Sequence, residues 1–414
     1  MKRWVASAVV LGIVASGAII ATPASADAVR NREYWLDEYG ITQAWNTTKG
    51  AGVTIAVIDT GVDGNVAELN GAVVGGADFS GLGSPDGQTP VGSDGSEHGT
   101  MVASLAAGRG TGGNNGVIGA APAANILAIS IGFGEGDKSS DDQIAEAVRW
   151  AVDNGADVIN MSLTRNTLDW PESWDDAFLY AMQNDVVVVA AAGNRGSGTT
   201  EVGAPATMPG VLTVAGVDTN GEASFDASSQ GITIAVAAPS EDLVGVVPGG
   251  DHVIWNGTSG ATPIVAGIVA LVIAAHPELD AANIINRVVA TAKDAGTPGA
   301  DAIYGFGLID ANAAVTASVP EVTLNPMGDL ADWIRIYRRA DATPAPTPTR
   351  QPTSTPAPVT VVATPVNPLG TILPTVNLLR NVGIPLGVIV IFVALAVWLL
   401  VVVIRHVRAS RQTE

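Results

Sequence analysis

The sequence predicts an α/β fold, a mainly parallel sheet with helices on both faces, followed by one C-terminal transmembrane helix. Three observations predict it. Short, continuous apolar runs alternate with helical stretches through residues 31–316. Strands that read as unbroken apolar runs are buried on both faces, which is the condition of a parallel sheet covered by helices. Finally, residues 384–404 form 21 positions without one charge, matching the roughly 20 residues that cross a bilayer core.

Taken in order, residues 53–58 (VTIAVI), 125–131, 158–163, 186–192 and 211–217 read as strands. Helices are expected at 141–154, 174–183 and 258–276. No internal repeat is present. The chain opens with Lys2 and Arg3, an apolar run from Val5 to Ala21, and Ala24-Ser25-Ala26. That order is an export signal of residues 1–26, with the mature chain beginning near Asp27. At the other end Arg405, His406, Arg408 and Arg411 follow the apolar run. The positive-inside tendency makes 405–414 a cytoplasmic tail. The expected location is therefore the cell membrane, with a single span and an extracytoplasmic domain over 27–316. Residues 317–383 are assigned to a linker. Nine prolines between 341 and 374 favour extended, semi-rigid polyproline II there. The stretch DLADWIRIYRR, 329–339, can form a short helix, and its residues alone do not assign it to domain or stalk.

Composition narrows the chemistry. The net charge is −20, and 31–316 alone carries 34 acidic against 9 basic residues. Phosphate would be repelled, so nucleic acid is not an expected partner. The absence of cysteine removes disulfides, thiol catalysis and Cys-type zinc sites. No cofactor and no required metal are expected. Only His98, His252, His276 and His406 could serve as a base near neutral pH.

Four segments carry candidate chemistry. Asp59 in VIDTGVD lies at the C-terminal end of an apolar strand, where catalytic groups gather in such sheets. Alone it could equally be a turn residue. His98 in EHGTMVA follows a polar, Gly-rich loop and opens a small-residue helix. Ser259 in NGTSGATP enters an apolar helix, whose N-terminal N–H groups suit an oxyanion. Alone it would read as an N-cap. Asn194 follows the apolar run 186–192, and its amide could point at developing negative charge. The order is Asp, His 39 residues on, and Ser 161 further. That order differs from the other common serine-hydrolase arrangements, and the last glycine of a G-x-S-x-G elbow is replaced by Ala261. His252 is the one rival base near Ser259; His276 ends a helix, and His406 belongs to the tail.

With VIDTGVD, HGTMVAS, AAAGN and GTSGATPIVAG in this order, and GVIGAAPAANI and YGFGLIDANAAV between and after them, the chain resembles the subtilisin (subtilase) family over nearly all of 31–316. It is most similar to the mycosins, membrane-anchored subtilases associated with type VII secretion, in its signal peptide, Trp35–Tyr39 start, Pro-rich stalk and terminal apolar run. The resemblance implies a three-layer sandwich and serine endopeptidase activity with Asp59, His98 and Ser259 as triad and Asn194 in the oxyanion hole. It places extended peptide against Ser130, Gly132, Ser162, Leu163 and Thr164, with Ala192 and Gly193 lining the first specificity pocket. Three departures stand out: Gly260 where Met is usual, Thr164 where many members have Gly, and no recognisable calcium loop near 112–116. Nor is there room between Asp27 and Trp45 for the usual folding prodomain, so the short leader is expected to wrap the domain. The implied partners are polypeptide substrates, the lipid bilayer and subunits of a membrane secretion complex. Two other functions fit the residues: a structural stabiliser of such a complex, with catalysis dispensable, and a non-catalytic peptide-binding module.

Overall fold

The computed structural model describes residues 28–338. The expected signal peptide, the segment 339–383, the apolar run 384–404 and the tail 405–414 with His406 lie outside the described residues.

The strands are β1 (Thr54–Asp59), β2 (Val73–Asp78), β3 (Asn125–Ser130), β4 (Val158–Met161), β5 (Val187–Ala191), β6 (Leu212–Val217), β7 (Ile234–Pro239), β8 (Leu243–Val246) and β9 (His252–Trp255). The helices are α1 (Trp35–Glu38), α2 (Ile41–Ala44), α3 (His98–Ala107), α4 (Ser140–Asp153), α5 (Glu172–Gln183), α6 (Thr258–Ala275), α7 (Ala281–Ala290), α8 (Ala311–Thr316) and α9 (Leu330–Tyr337). All five expected strands and all three expected helices are present, with ends shifted by a few residues at most.

Seven strands form one parallel sheet in the order β2-β3-β1-β4-β5-β6-β7. Strands β4, β5, β6 and β7 are buried at every position, as a sheet covered on both faces requires. Helices α3 and α6 pack together on one face, and α4 and α5 pack together on the other. This is the expected three-layer arrangement. Two sheet strands escaped the sequence reading. In edge strand β2 the apolar pattern is interrupted by Gly75-Gly76, and the register shifts between Val73 and Gly75. At the opposite edge β7 runs directly into Pro239. A separate antiparallel pair, β8–β9, was also not anticipated.

Among the described residues, α6 is the one helix long and apolar enough to cross a membrane. It is buried almost throughout against β4, β5, β6 and β7. A helix apolar all round is what the centre of a large domain demands.

Residues 317–338 belong to the folded unit, which corrects the linker boundary drawn at 317. Asn325 Nδ2 donates to the Gly210 carbonyl at 3.0 Å, and Val322 N to Asn283 Oδ1 at 2.7 Å. On α9, Trp333 lies 4.4 Å, centroid to centroid, from Trp170. Arg338 ends this stretch with a 2.8 Å ion pair to Asp175 and a 2.8 Å bond to the Trp170 carbonyl. Buried aromatic area and a paired charge outweigh the cost of ordering a short helix.

The N-terminal segment wraps the domain, as expected. Trp35 is fully buried, Tyr34 Oη donates to the Glu241 carbonyl at 2.9 Å, and Trp45 Nε1 to the Ala120 carbonyl at 2.8 Å. Arg30 enters the loop near 112–116. Its Nη2 donates to the Gly116 carbonyl at 3.0 Å and to the Asn115 carbonyl at 3.3 Å, while Nε pairs with Glu33 at 2.6 Å. Glu33 Oε1 in turn accepts from Ile118 N at 2.8 Å. A guanidinium thus gathers the loop's carbonyl oxygens. Arg30→Ala should lower stability by roughly 1–3 kcal/mol, because it strands a charged network. The melting temperature should fall by a few degrees, whereas chelation of divalent cations should leave that of the native sequence unchanged. Calorimetry with and without chelator checks both.

Candidate active site

In a parallel sheet all strands end on the same edge, and the loops there bring distant residues together. Strand β1 delivers Asp59, β4 leads into Ser162, β5 leads into Asn194, and the N-termini of α3 and α6 carry His98 and Ser259.

Asp59 has no exposed surface. Its Oδ1 accepts from Thr60 N at 2.8 Å. Both carboxylate oxygens face His98 Nδ1, at 2.8 and 3.0 Å. Thr60 locks the two elements: its hydroxyl donates to the Ser96 carbonyl and accepts from Gly99 N, each at 3.0 Å. The close approach needs the glycine, since a Cβ on residue 99 would lie 2.2 Å from the Gly61 carbonyl oxygen. With Nδ1 held by Asp59, the basic nitrogen of neutral His98 is Nε2. Burial pulls the imidazole's pKa down. The charge of Asp59, its hydrogen bond, and the charge of Glu97 outweigh this, so the pKa stands above its ordinary 6.5.

Ser259 is the second residue of α6. The sixth, Pro263, has no N–H, so the Ser259 carbonyl lacks its helical donor. Ser162 Oγ supplies that bond at 2.8 Å, and Ser259 Oγ donates back to the Ser162 carbonyl at 3.1 Å. The Ser259 hydroxyl is therefore turned to Ser162 here and is not bonded to His98. Asn194 is oriented by Thr258, whose N and Oγ1 both donate to Asn194 Oδ1, at 2.8 and 2.9 Å. This leaves the Asn194 NH2 without a partner among the described residues. It lies against Gly257, where a Cβ would be 3.0 Å from Nδ2.

Trp255 was missed from the sequence. Its indole stands edge-on to His98, with centroids 5.7 Å apart. It also explains Gly260: a Cβ there would lie 2.3 Å from Leu243 Cδ1 and 3.3 Å from Trp255 Cζ2. The space of the usual methionine is taken by side chains of the β8–β9 hairpin. The only signal in the sequence was the absence of the methionine itself.

Other expected positions separate. Leu163 and Ala192 are buried, and the Thr164 methyl group faces Gly193. Ser130 and Gly132 do not offer an edge to a peptide, which corrects that expectation. Ser130 is fully buried with its hydroxyl on Asp78 at 2.8 Å. Gly132 N donates to Gln143 at 2.7 Å, and its carbonyl accepts from Ser140 at 2.7 Å. Both backbone groups are spent. Of the remaining described histidines, His252 pairs with buried Glu68 at 2.7 Å and His276 Nε2 with the Val315 carbonyl at 2.7 Å. Neither is bonded at the site.

The sequence model of the subtilase family matches residues 50–307. This chain belongs to the subtilase family. It is 39% identical over 272 residues to subtilisin E of Bacillus subtilis (strain 168), covering 64% of this chain and 66% of that one. The match thus spans slightly less than two thirds of that relative's length. Among solved structures, MycP1 from Mycobacterium smegmatis superposes with a TM-score of 0.61 at 30% identity, covering 74% of this subtilase and 89% of that chain. The MycP3 protease from the type VII (ESX-3) secretion system gives 0.57 at 29%, covering 72% and 90%.

In this subtilase, protonated His98 is favoured by folding. Its contribution to stability is complete below pH 6.5 and is lost as pH rises through the raised folded-state pKa. The His98 imidazole should titrate above 6.5 in the native chain. In Asp59→Asn, which removes the charge, it should titrate lower, as followed by NMR of the ring.

Proposed function

We propose that this subtilase is a membrane-anchored extracytoplasmic serine endopeptidase. Its substrates are polypeptides, including proteins exported by a type VII secretion system. The observation that carries the reading is the buried Asp59–His98 pair at the sheet edge that also presents Ser259 and the oriented Asn194. Subtilase membership supports the reaction, and the MycP1 and MycP3 likeness supports the secretion setting.

The steps follow from the residue types. A peptide carbonyl bound beside Ser259 displaces its hydroxyl from Ser162. His98 Nε2 takes the proton as Oγ attacks, and the C=O becomes an oxyanion. Asn194 Nδ2 and the Ser259 backbone N–H donate to that oxyanion. Asp59 holds the imidazolium and its orientation. His98 then gives the proton to the leaving amine, the C–N bond breaks, and an acyl-Ser259 ester remains. His98 then takes a proton from water, whose oxygen attacks the ester; the acyl C–Oγ bond breaks, His98 returns the proton to Ser259 Oγ, and the carboxylic acid product leaves.

The domain plan belongs to the same proposal: export through residues 1–26, a Pro-rich spacer after 338, a span at 384–404 and a short cytoplasmic tail. The domain boundary moves from 316 to 338 because α9 is docked. A structural role in a secretion complex is the alternative, favoured by a MycP1 neighbour described as an essential component of the type VII (ESX-1) system.

A fluorophosphonate probe should label the full chain at Ser259, and Ser259→Ala should abolish labelling and peptide hydrolysis. If export persists in Ser259→Ala cells while processing stops, catalysis and assembly are separate roles; absence of labelling in folded protein overturns the protease reading. Asn194→Ala should reduce kcat about 10²–10³-fold with KM little changed, a magnitude carried over from a subtilisin relative rather than obtained from this geometry.

A further inference from the structure

We propose that Thr164 closes the first specificity pocket to all but small side chains, so that this chain cleaves after Gly, Ala or Ser. The inference rests on the protease reading and deepens it. The family resemblance seats the side chain preceding the scissile bond between the 162–164 wall and the 192–193 wall. A flat or branched side chain seated between two walls contacts both, and carbon atoms in contact stand about 3.5–4.0 Å apart. The walls must then be about 7 Å apart.

Here they are not. A Cβ built on Gly193 would lie 3.2 Å from Thr164 Cγ2, 2.7 Å from Thr199 Cγ2 and 3.0 Å from Ser229 Oγ. The space on the side-chain face of Gly193 is thus too small for even one added carbon, and the Thr164 methyl closes one side of it. It is also held there. The Thr164 hydroxyl donates to the Arg165 carbonyl at 3.0 Å, which fixes the rotamer of a β-branched side chain already stiff at χ1. Its Oγ1 faces Gly203, where a Cβ would come within 2.6 Å of it. Nor can the neighbours withdraw. Thr199 and Ser229 are buried, and the Ser229 hydroxyl is bonded to the Thr199 carbonyl.

The test uses the full chain in detergent micelles and a series of peptide coumarin amides differing only in the residue before the scissile bond: Gly, Ala, Ser, Leu and Phe. The native chain should favour Ala over Phe in kcat/KM by about 10²-fold, near the limit that pocket size alone can set. Thr164→Gly should raise the Phe-to-Ala ratio by at least about 10-fold. Thr164→Ser, which keeps the hydroxyl and removes the methyl, should move the ratio the same way by less. Equal cleavage after Phe and Ala by the native chain overturns the inference, as does an unchanged ratio in both variants. Fluorophosphonate labelling of the native chain separates the two levels. A labelled serine with indiscriminate cleavage sinks only the pocket assignment, whereas an unlabelled serine sinks the protease reading and this inference with it.

Discussion

The hydrogen bond between Asp59 and His98 joins two elements 39 residues apart at a place where the carboxylate could not sit alone. A carboxylate without exposed surface has lost its water, and such desolvation costs several kcal/mol unless donors replace it. Thr60 N and the imidazole are those donors. The arrangement has a chemical consequence that follows from this bond to a carboxylate. An ionised carboxylate only accepts, so Nδ1 must carry the proton, and the basic lone pair of the neutral ring is left on Nε2. The side chain of His98 remains 29% exposed, so that nitrogen is not sealed away with its partner. Buried charge thus sets the tautomer, and the tautomer sets which atom can act as a base.

The rest of the edge is built by the same kind of compensation. Pro263 removes the N–H that would have bonded the Ser259 carbonyl, and Ser162 supplies the missing donor. The serine is thereby tied to the end of β4 rather than only to its own helix. Asn194 gives its oxygen to Thr258, so its NH2 is aimed by a bond on the other half of the amide. In each case a side chain is fixed by satisfying a polar group that the fold would otherwise strand. Hydrogen-bond accounting thus positions Asn194 and the Ser259 backbone, while the Ser259 hydroxyl rests on the Ser162 carbonyl rather than on His98.

The central strands were legible because a strand covered on both faces has no polar side to disguise it. The positions of Asp59, His98 and Ser259 were legible because they lie where such strands end and such helices begin. Other features depend on partners that sequence order conceals. Strand β9 alternates exposed and half-buried positions and gave no core signal. Residues 317–338 read as linker because α9 becomes stable only against Trp170, far away in the chain. Ser130 and Gly132 were placed at a peptide edge by the family resemblance alone. The pattern could not say that Asp78, Gln143 and Ser140 had already taken their hydrogen-bonding groups.

Glycines near the site show why likeness carries the chemistry further than the selectivity. Gly260 and Gly245 are each the complement of one indole: a Cβ at 245 would lie 3.0 Å from Trp255 Nε1, and one at 260 would meet Trp255 and Leu243. Neither glycine is explained by its own backbone angle, since neither has a positive φ. Each is explained by a side chain from another element occupying its space. The Asp59–His98 bond depends on a few atoms at fixed spacing, so short motifs are enough to specify it. Pocket walls depend on pairs of positions that exchange volume, a large residue on one side admitting only a small one opposite. A change of one member, such as Thr164 facing Gly193, reshapes the space between such walls while the motifs around Asp59, His98 and Ser259 read the same.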